Sequence, residues 1–212
     1  RRNRLESKPV SNGGYFISFE GIDRSGKSTQ AAVLAERFGD RALLVREPGG
    51  TTLSERVRGI LKDPEIPMAP RAEALLFAAA RADLVSTVIR PALDDGRIVI
   101  ADRYIDSSLA YQGVARGLGS AEIEQLNRWA ADSLMPNLTV LVEVDPAVAL
   151  ERGAEEDDRF ENEGVAFQRK VAEAYASLAD ANPDRIVRID GGRGPDEVAV
   201  DVAAVIDPRI NL

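Results

Sequence analysis

Residues 21–28 carry the clearest chemical signal in the sequence. They read GIDRSGKS and fit the pattern G-x-x-x-x-G-K-[ST]. Glycines let the backbone curl so that several N–H groups point at one phosphate, and a helix that begins there adds its partial positive charge. In such a loop Lys27 neutralises the outer phosphates of a nucleoside triphosphate, and the Ser28 hydroxyl ligates Mg²⁺. The segment therefore predicts a phosphate-binding loop.

A loop of this kind occurs both in switch GTPases and in kinases. GTPases read guanine with an Asn-Lys-x-Asp segment that follows a strand. No Asn in this chain is followed by Lys. The sequence therefore favours a kinase over a guanine-reading switch.

Two more groups of polar residues follow predicted strands. Glu47 and Pro48 lie in REPGGT, directly after the second strand, at the edge of the sheet where open α/β folds bind ligands. An ordinary turn is the alternative. Asp102 and Arg103 come at the end of the third strand. An acid there suits a Mg²⁺-bound water and the adjacent arginine suits a second phosphate, whereas an isolated salt bridge is the alternative.

Two predicted helices carry residues that suit a planar base. Phe77 and Arg81 are four residues apart and share one helix face, where a ring can stack and a guanidinium can donate hydrogen bonds. Ser108, Tyr111 and Gln112, at positions i, i+3 and i+4, form a polar face towards the same site. The alternatives are a core phenylalanine beside a surface arginine, and a capped, solvated helix.

The elements that must hold these residues alternate between strands and helices. We predict strands over 15–20, 42–45, 97–101, 138–144 and 186–189. We predict helices over 29–38, 53–61, 71–89, 121–134 and 196–205. Two more are predicted between the last two strands: a short helix directly after the fourth strand, and a helix that ends at about residue 181. The strands are continuous apolar runs, which indicates a parallel sheet covered on both faces. We expect one α/β domain over 15–212, a kink or helix end at Pro91, and a disordered arm over 1–14.

The composition excludes several classes of site. The 212 residues include no His and no Cys, so a Ser-His-Asp triad, a cysteine nucleophile, a thiolate metal site and a disulfide are all ruled out. The net charge of -8 argues against a nucleic-acid partner or an anionic membrane surface. The apolar run over 74–80 is far too short to span a membrane. A cysteine-free chain is compatible with the cytosol.

Taken together, these segments resemble the thymidylate kinases, the P-loop nucleoside monophosphate kinases that phosphorylate dTMP with ATP. The resemblance rests on FEGIDRSGKSTQ, REPGGT, a Glu55-x-x-Arg58 pair, LLFAAAR, DRYIDSSLAYQG and DRFE, in the family's order over residues 19–161. It implies a five-stranded parallel sheet flanked by helices, a P-loop kinase fold with a short lid. It also implies γ-phosphoryl transfer from ATP to dTMP, giving dTDP and ADP for dTTP synthesis, in a cytoplasmic, Mg²⁺-using homodimer.

The resemblance also implies a role for each matching position. ATP would contact Gly21, Ile22, Asp23, Arg24, Ser25, Gly26, Lys27, Ser28 and Thr29. The residues expected around dTMP are Asp23, Glu47, Pro48, Arg58, Phe77, Arg81, Arg103, Ser107, Ser108, Tyr111 and Gln112. Arg58 and Arg103 would hold its phosphate, and Asp23 would approach its 3′-hydroxyl. Phe77 would stack on thymine, Arg81 would bind its edge, and Tyr111 would lie under C2′. Ser28 and Asp102 would hold the metal, and Arg24, Lys27, Asp102 and Arg103 would be catalytic.

One departure from the family's common bacterial pattern concerns the lid, here residues 152–161. Many bacterial relatives have an arginine-rich lid, whereas this one is short and acidic in the middle, with Arg152 and Arg159 near its ends. Arg24 instead lies inside the phosphate loop. We expect Arg24 to supply the charge over the moving phosphoryl group. The alternative is an exposed Arg24, with the lid arginines sufficing.

Two other functions remain open from the sequence. One is a P-loop kinase of another nucleotide or of a deoxynucleoside. A nucleoside acceptor would need a carboxylate base near a 5′-hydroxyl, whereas the Arg58 and Arg103 pair favours an acceptor that already carries a phosphate. The other is a nucleotide-binding regulatory module without turnover.

Overall fold

The computed structural model describes residues 13–153, 160 and 163–210. Within these residues the chain forms a five-stranded sheet in the order β2-β3-β1-β4-β5, and every neighbouring pair of strands is parallel. The strands are β1 (Tyr15–Glu20), β2 (Ala42–Arg46), β3 (Ile98–Asp102), β4 (Leu138–Glu143) and β5 (Ile186–Asp190). The predicted parallel α/β sheet is confirmed. Residues 1–12 of the expected arm lie outside the described residues.

The helices connect the strands and cover both faces of the sheet. They are α1 (Lys27–Phe38), α2 (Thr52–Lys62), α3 (Pro70–Leu84), α4 (Arg90–Asp94), α5 (Ile105–Ser108), α6 (Ser120–Ala130), α7 (Pro146–Glu151), α8 (Gly164–Ala181) and α9 (Pro195–Ile206). Phe16 of β1 packs with Leu84 and Leu93 on one face. Ile17 packs with Leu34 of α1 and Val202 of α9 on the other. This alternation follows from the period of two along a strand.

Two helix ends differ from the sequence prediction. The long helix expected over 71–89 continues beyond Leu84 as a π-helical segment, Val85–Ile89, and then as α4. Pro91 lies in the first turn of α4, so the helix widens ahead of the proline rather than ending there. The helix expected over 121–134 ends at Ala130, which corrects that prediction. Asp132 and Ser133 adopt left-handed φ values of 47° and 57°, which a helix does not contain.

The order of the strands brings the chemically interesting loops together. β1 lies in the middle of the sheet between β3 and β4, and β2 lies beyond β3. The loops that follow β1, β2 and β3 therefore open at one edge, the carboxyl edge of the parallel sheet. In the part of the chain described here, no helix has the length and apolar character that crossing a membrane requires.

Candidate active site

A cavity of about 820 Å³ opens at the carboxyl edge of the sheet. Residues from the phosphate loop, from the ends of β2 and β3, and from α2, α3 and the segment after α5 line it. Every residue that the sequence analysis assigned to the acceptor lines this cavity: Asp23, Glu47, Pro48, Arg58, Phe77, Arg81, Arg103, Ser107, Ser108, Tyr111 and Gln112. The fold thus collects side chains that are up to 89 positions apart, from Asp23 to Gln112, around one space.

The phosphate loop joins β1 to α1, as its sequence context predicted. Gly21 has a φ of 147°, and a Cβ there would lie 2.5 Å from the carbonyl oxygen of Val142, so only glycine fits. Gly26 precedes the first residue of α1 in a left-handed conformation, with no side-chain cap on the helix. The first N–H groups of α1 are therefore available to an anion, as phosphate binding requires.

The loop residues divide into those that line the cavity and those that support it. The seven residues 23–29 line the cavity. Gly21 and Ile22, which the sequence analysis also assigned to ATP, are absent from that lining, and the side chain of Ile22 packs in the core with Ala110. The Ile22 carbonyl oxygen accepts a 3.3 Å hydrogen bond from Lys27 Nζ. Burial and the neighbouring Arg103 lower the pKa of Lys27.

The end of β3 provides an oxygen ligand for a cation. Asp102 lines the cavity, and its Oδ1 atom is buried without a hydrogen-bond partner among the described residues. Ser28 lines the same space. Buried polar atoms are normally satisfied, so an unpaired carboxylate oxygen facing phosphate-binding groups suits a hard cation. The donor set present therefore fits Mg²⁺, which binds few protein oxygens and completes its shell with phosphate and water.

Arg103 lies at the centre of a polar network beside the loop. It adopts a left-handed φ of 73°, and its guanidinium pairs with Asp23 at 2.5 Å. It also donates to the carbonyl oxygen of Gly21 at 3.0 Å, to Ser107 at 3.1 Å and to Tyr111 at 3.2 Å. Burial opposes ionisation of Asp23, but Arg103 and Lys27 outweigh it and lower the pKa of Asp23 to about 2. Asp23 is therefore a carboxylate over the whole physiological range.

Two residues of this network come from α8 and were missed by sequence reasoning. Tyr175 contacts Ser107 at 2.8 Å and accepts from Arg103 at 3.3 Å. Gln168 donates to Asp23 at 2.9 Å. Both belong to a helix whose sequence has no recognisable motif. Only the packing of α8 against the segment after α5 brings them to the site.

A third missed residue, Glu20, ends β1 at the base of the site. It is fully buried and accepts from the backbone of Tyr104 at 2.7 Å, from Ser107 at 2.6 Å and from Tyr175 at 2.9 Å. Burial, reinforced by the charge of Asp106, raises the pKa of Glu20 to about 7. A charged residue at the end of an otherwise apolar strand was the sequence signal that could have identified it.

The far end of the cavity is built around a buried arginine. Arg81 is 2% exposed and donates through Nε and Nη2 to Glu47 at 2.8 and 2.6 Å. Its remaining N–H groups donate to Ser108 at 3.1 Å, to the carbonyl oxygen of Tyr104 at 3.1 Å, and to Asn127. Burial raises the pKa of Glu47, an effect that Arg81 opposes. All five guanidinium donors thus have protein partners, so a base edge would have to share or replace one of them.

Phe77 lies on the same helix face as Arg81 and is half-buried against an apolar cluster that includes Leu61. Its ring lines the cavity and meets Phe160 edge to face, with ring centroids 5.8 Å apart. Arg58, on α2, donates to the carbonyl oxygen of Pro48 at 3.0 Å and so stabilises the turn after β2. These contacts leave a slot between an aromatic face and a polar wall, which suits a flat heterocycle.

The lid is described only in part. Arg152 donates to the carbonyl oxygens of Arg24 at 3.1 Å, Ser25 at 3.2 Å and Gly191 at 2.7 Å, so it is bound to the phosphate loop itself. Arg24 has a left-handed φ of 61° and lines the cavity. Arg159, the other arginine predicted in the lid, lies outside the described residues.

Comparison with known proteins places this cavity in context. Residues 19–202 match a family model described as thymidylate kinase. A thymidylate kinase of Pelobacter propionicus is 44% identical over 211 residues, covering 93% of this chain and 96% of the relative. One from Leifsonia xyli is 44% identical and covers 96% of this chain and all of the relative. The crystal structure of thymidylate kinase from Ehrlichia chaffeensis superposes with a TM-score of 0.78 at 34% identity, over 92% of this chain and 99% of that one.

Proposed function

The chain belongs to the thymidylate kinase family, and on that basis we propose how this cavity transfers the γ-phosphoryl group of ATP to dTMP, giving dTDP and ADP. The enzyme is accordingly an ATP-dependent phosphotransferase. One observation carries the proposal: a single cavity has the phosphate loop at one end and the Phe77 and Arg81 pocket at the other. A triphosphate at the first and a pyrimidine nucleotide at the second would direct their phosphates towards each other.

ATP binds at the loop end of the cavity in this proposal. The N–H groups at the start of α1 and the ammonium of Lys27 face its outer phosphates. Arg24 lies beside them and supplies charge to the phosphoryl group as it moves. The loop is preformed, because glycine geometry and the Arg152 bonds hold its backbone in place. Preformed donors lose little free energy to reorganisation during transfer.

dTMP binds with its base in the slot between Phe77 and Arg81. Arg58 and Arg103 are placed to hold its phosphate, and Tyr111 and the ionised Asp23 lie beside its sugar. Asp23 pairs with Arg103, so the arginine is oriented before the acceptor arrives. No general base is required, because the attacking phosphate oxygen is already anionic. Catalysis is therefore positioning and charge neutralisation.

Mg²⁺ would be held by Ser28 and Asp102 together with ATP. The unpaired buried Oδ1 atom of Asp102 supports this assignment. When bound, the ion would supply positive charge that offsets the negative charge of the ATP phosphates during transfer. Within the described residues there is no group of three or more His, Cys, Asp or Glu side chains that could hold a metal without the nucleotide.

We further propose that the enzyme is a cytoplasmic homodimer, as the family resemblance implies. Three neighbouring helices expose large apolar side chains: Leu53 and Ile60 on α2, Leu75 on α3 and Trp129 on α6. α3 packs against both α2 and α6, so these side chains belong to one side of the molecule. An exposed apolar patch of this kind is typical of a subunit interface. ATP and dTMP are charged and do not cross a bilayer unaided, so the enzyme must lie in the compartment that contains both. We propose that this compartment is the cytoplasm.

The test of the proposed function is an ADP-release assay with ATP and a set of acceptors. We expect release that depends on dTMP, with dTDP as the second product, and loss of release in Lys27→Met. Release with thymidine but not with dTMP would indicate a deoxynucleoside kinase, and release with another monophosphate alone would indicate a different acceptor. ATP binding without any acceptor-dependent release would indicate a regulatory module. Each of these three results would overturn the proposal.

A further inference from the structure

Gln112, in the wall of the base slot, has its amide fixed by a residue outside the slot. Gln112 lines the cavity and is 2% exposed. Its Nε2 atom donates a 2.8 Å hydrogen bond to Oε1 of Glu73, which is 1% exposed on α3. Glu73, Phe77 and Arg81 are spaced four residues apart, so they share one face of that helix. Glu73 thus stands behind the slot and Phe77 within it.

The chemistry of the carboxylate decides which way the Gln112 amide points. An ionised carboxylate only accepts hydrogen bonds, whereas an amide has a donating and an accepting end. Arg116 also faces Glu73, with Nε and Nη2 each 3.3 Å from a carboxylate oxygen. Two donors facing one acid is the pairing that an ionised carboxylate requires. The nitrogen end of Gln112 is therefore held at Glu73, and the carbonyl end is left for the cavity.

The side-chain oxygen of Gln112, Oε1, receives no hydrogen bond from the residues that the structure describes, whereas Nε2 donates to Glu73. Oε1 is not a buried atom without a partner, so it keeps access to the open space of the cavity. The amide thus presents an acceptor to whatever base fills the slot. An acceptor selects a base edge that carries a hydrogen-bond donor.

We propose that Glu73 is a positioning residue that determines base specificity by fixing Gln112 as a hydrogen-bond acceptor for N3–H of the pyrimidine. This rests on the proposed function, in which dTMP occupies the slot. Thymine and uracil carry a hydrogen on N3, whereas cytosine has a lone pair there. Cytosine would place two acceptors against each other in a buried site, and such sites reject the wrong partner strongly because neither group is satisfied.

The experiment compares two variants, each of which neutralises one of the two carboxylates that pair with Arg116. Glu73→Gln gives Gln112 a neighbour that can either donate or accept, so its amide can turn. Glu163→Gln removes the other carboxylate that pairs with Arg116, at 2.5 Å, and has no contact with Gln112. kcat/KM is measured for dTMP and for dCMP with saturating ATP. We expect the dTMP-to-dCMP ratio to fall at least ~10-fold in Glu73→Gln, the size of one hydrogen-bond contribution, and to stay unchanged in Glu163→Gln.

The outcomes separate this inference from the proposed function. A wild-type enzyme that does not phosphorylate dTMP would refute the proposed function. A wild type that prefers dTMP, with the same ratio in Glu73→Gln, would overturn only the role of Glu73. An equal fall in Glu163→Gln would also overturn it, because the effect would then belong to the charge of Arg116.

A second measurement covers the case in which Glu73→Gln does not fold. The N3 imino proton of dTMP bound to the wild-type protein is observed by NMR. We expect a resonance protected from exchange with water, because the proton is donated to Gln112. Its absence in a saturated complex would overturn the inference without any variant.

Discussion

Phe77 and Arg81 occupy one face of α3 but are prepared for a ligand in opposite ways. Every N–H of Arg81 is bonded within the protein, so the position of its guanidinium is set before a ligand arrives. Phe77 packs against the apolar cluster of Val57, Leu61 and Ala80, meets the ring of Phe160 and lines the cavity. In the proposed function the half-buried ring of Phe77 would stack on the base, and Arg81, which we expect to bind its edge, is held rigid. Rigid polar groups cost little ordering entropy on binding.

Replacing Phe77 with alanine tests the stacking role. Phe77→Ala should weaken dTMP binding by ~1–3 kcal/mol, the range for stacking of a base on an aromatic side chain. ATP affinity should be unchanged, because the ring lies at the acceptor end. Calorimetric titration with each nucleotide measures both. Equal losses for the two nucleotides would show that the base lies elsewhere.

Glu20 gives a prediction about stability and pH. Burial raises its pKa from 4.5 to about 7, so between these values the folded state binds more protons than the unfolded state. Its contribution to stability is fully present below pH 4.5 and is lost as the pH rises through about 7. In the wild type this effect should lower the free energy of unfolding by up to ~1.4 kcal/mol per pH unit in that window. Because the side chain of Glu20→Gln cannot ionise, the variant should not show that decline. Urea unfolding at several pH values measures it.

The control for this prediction is Glu36→Gln, which changes an exposed carboxyl group of α1 in the same way. Its pH dependence should match that of the wild type. A Glu20→Gln protein whose stability declines between pH 4.5 and 7 as steeply as the wild type would contradict the prediction.

Sequence reasoning found many of the residues that line the site but missed several of the residues that hold them. Arg81, Gln112 and Asp23 were identified because they lie in motifs or at helical spacing. Their partners Asn127 and Gln168 lie 46 and 145 positions away, on helices with no motif of their own. Such pairings depend on how helices pack, and one sequence contains no direct signal for long-range packing. Functional assignment of the lining residues stays a prediction for the same reason.

At the scale of elements, the phosphate loop and the start of the lid form one unit. Arg152, directly after α7, binds two carbonyl oxygens of the loop and one beyond β5. Arg152 lines the cavity, and its Nη1 and Nη2 atoms donate to these backbone oxygens. Arg24 also lines the cavity and has one backbone contact, to the carbonyl oxygen of Leu150 at 3.4 Å, among those described. We expect Arg24 to meet the transferred phosphoryl group and Arg152 to keep the loop in shape.

Two variants separate these roles by kinetics. Arg24→Gly should lower kcat by ~10²–10³, scaled from arginine contributions in related phosphoryl transfer. Glycine adopts the left-handed φ of 61° at this position without strain, so the loop backbone is preserved. Arg152→Ala should instead raise KM for ATP, with a smaller effect on kcat, because the loop loses two carbonyl contacts and its link to Gly191. Steady-state rates with both substrates varied measure these parameters. Near-normal kcat in Arg24→Gly with a collapse in Arg152→Ala would reverse the assignment.

Strands were easier to predict than helix ends. All five predicted strands were located to within one or two residues, because a short continuous apolar run between turn residues is compatible with few structures other than a buried strand. The ends of α3 and α6 were not, because backbone geometry decides them. A π-helical widening ahead of Pro91 and two left-handed residues after Ala130 depend on local conformations that apolar periodicity does not encode.

At the scale of the whole molecule, the charge of the cavity opposes the charge of the chain. The protein carries 35 acidic and 27 basic residues. Among the residues that line the cavity, however, nine are Arg or Lys and three are Asp or Glu: Arg24, Lys27, Arg46, Arg58, Lys62, Arg81, Arg103, Arg152 and Arg193 against Asp23, Glu47 and Asp102. A concave site of one sign focuses its field and attracts anionic ligands despite an acidic exterior. Two nucleotides can thus be drawn into the cavity of a protein whose acidic surface disfavours nucleic acid.

The assembly of the molecule provides the last prediction. Trp129 is 82% exposed on α6, which packs against α3, and with the exposed Leu53, Ile60 and Leu75 it forms the apolar patch typical of an interface. If the face formed by α2, α3 and α6 joins two subunits, Trp129→Glu places a charge in an apolar interface and should dissociate the dimer. Val200→Glu is the matched control, because Val200 is 68% exposed on α9, which packs on the opposite face of the sheet. Sedimentation velocity should give about twice the 22.9 kDa of one chain for the wild type and for Val200→Glu, and about one chain for Trp129→Glu. A monomeric wild type, or a dimer that survives Trp129→Glu, would remove this face from the interface.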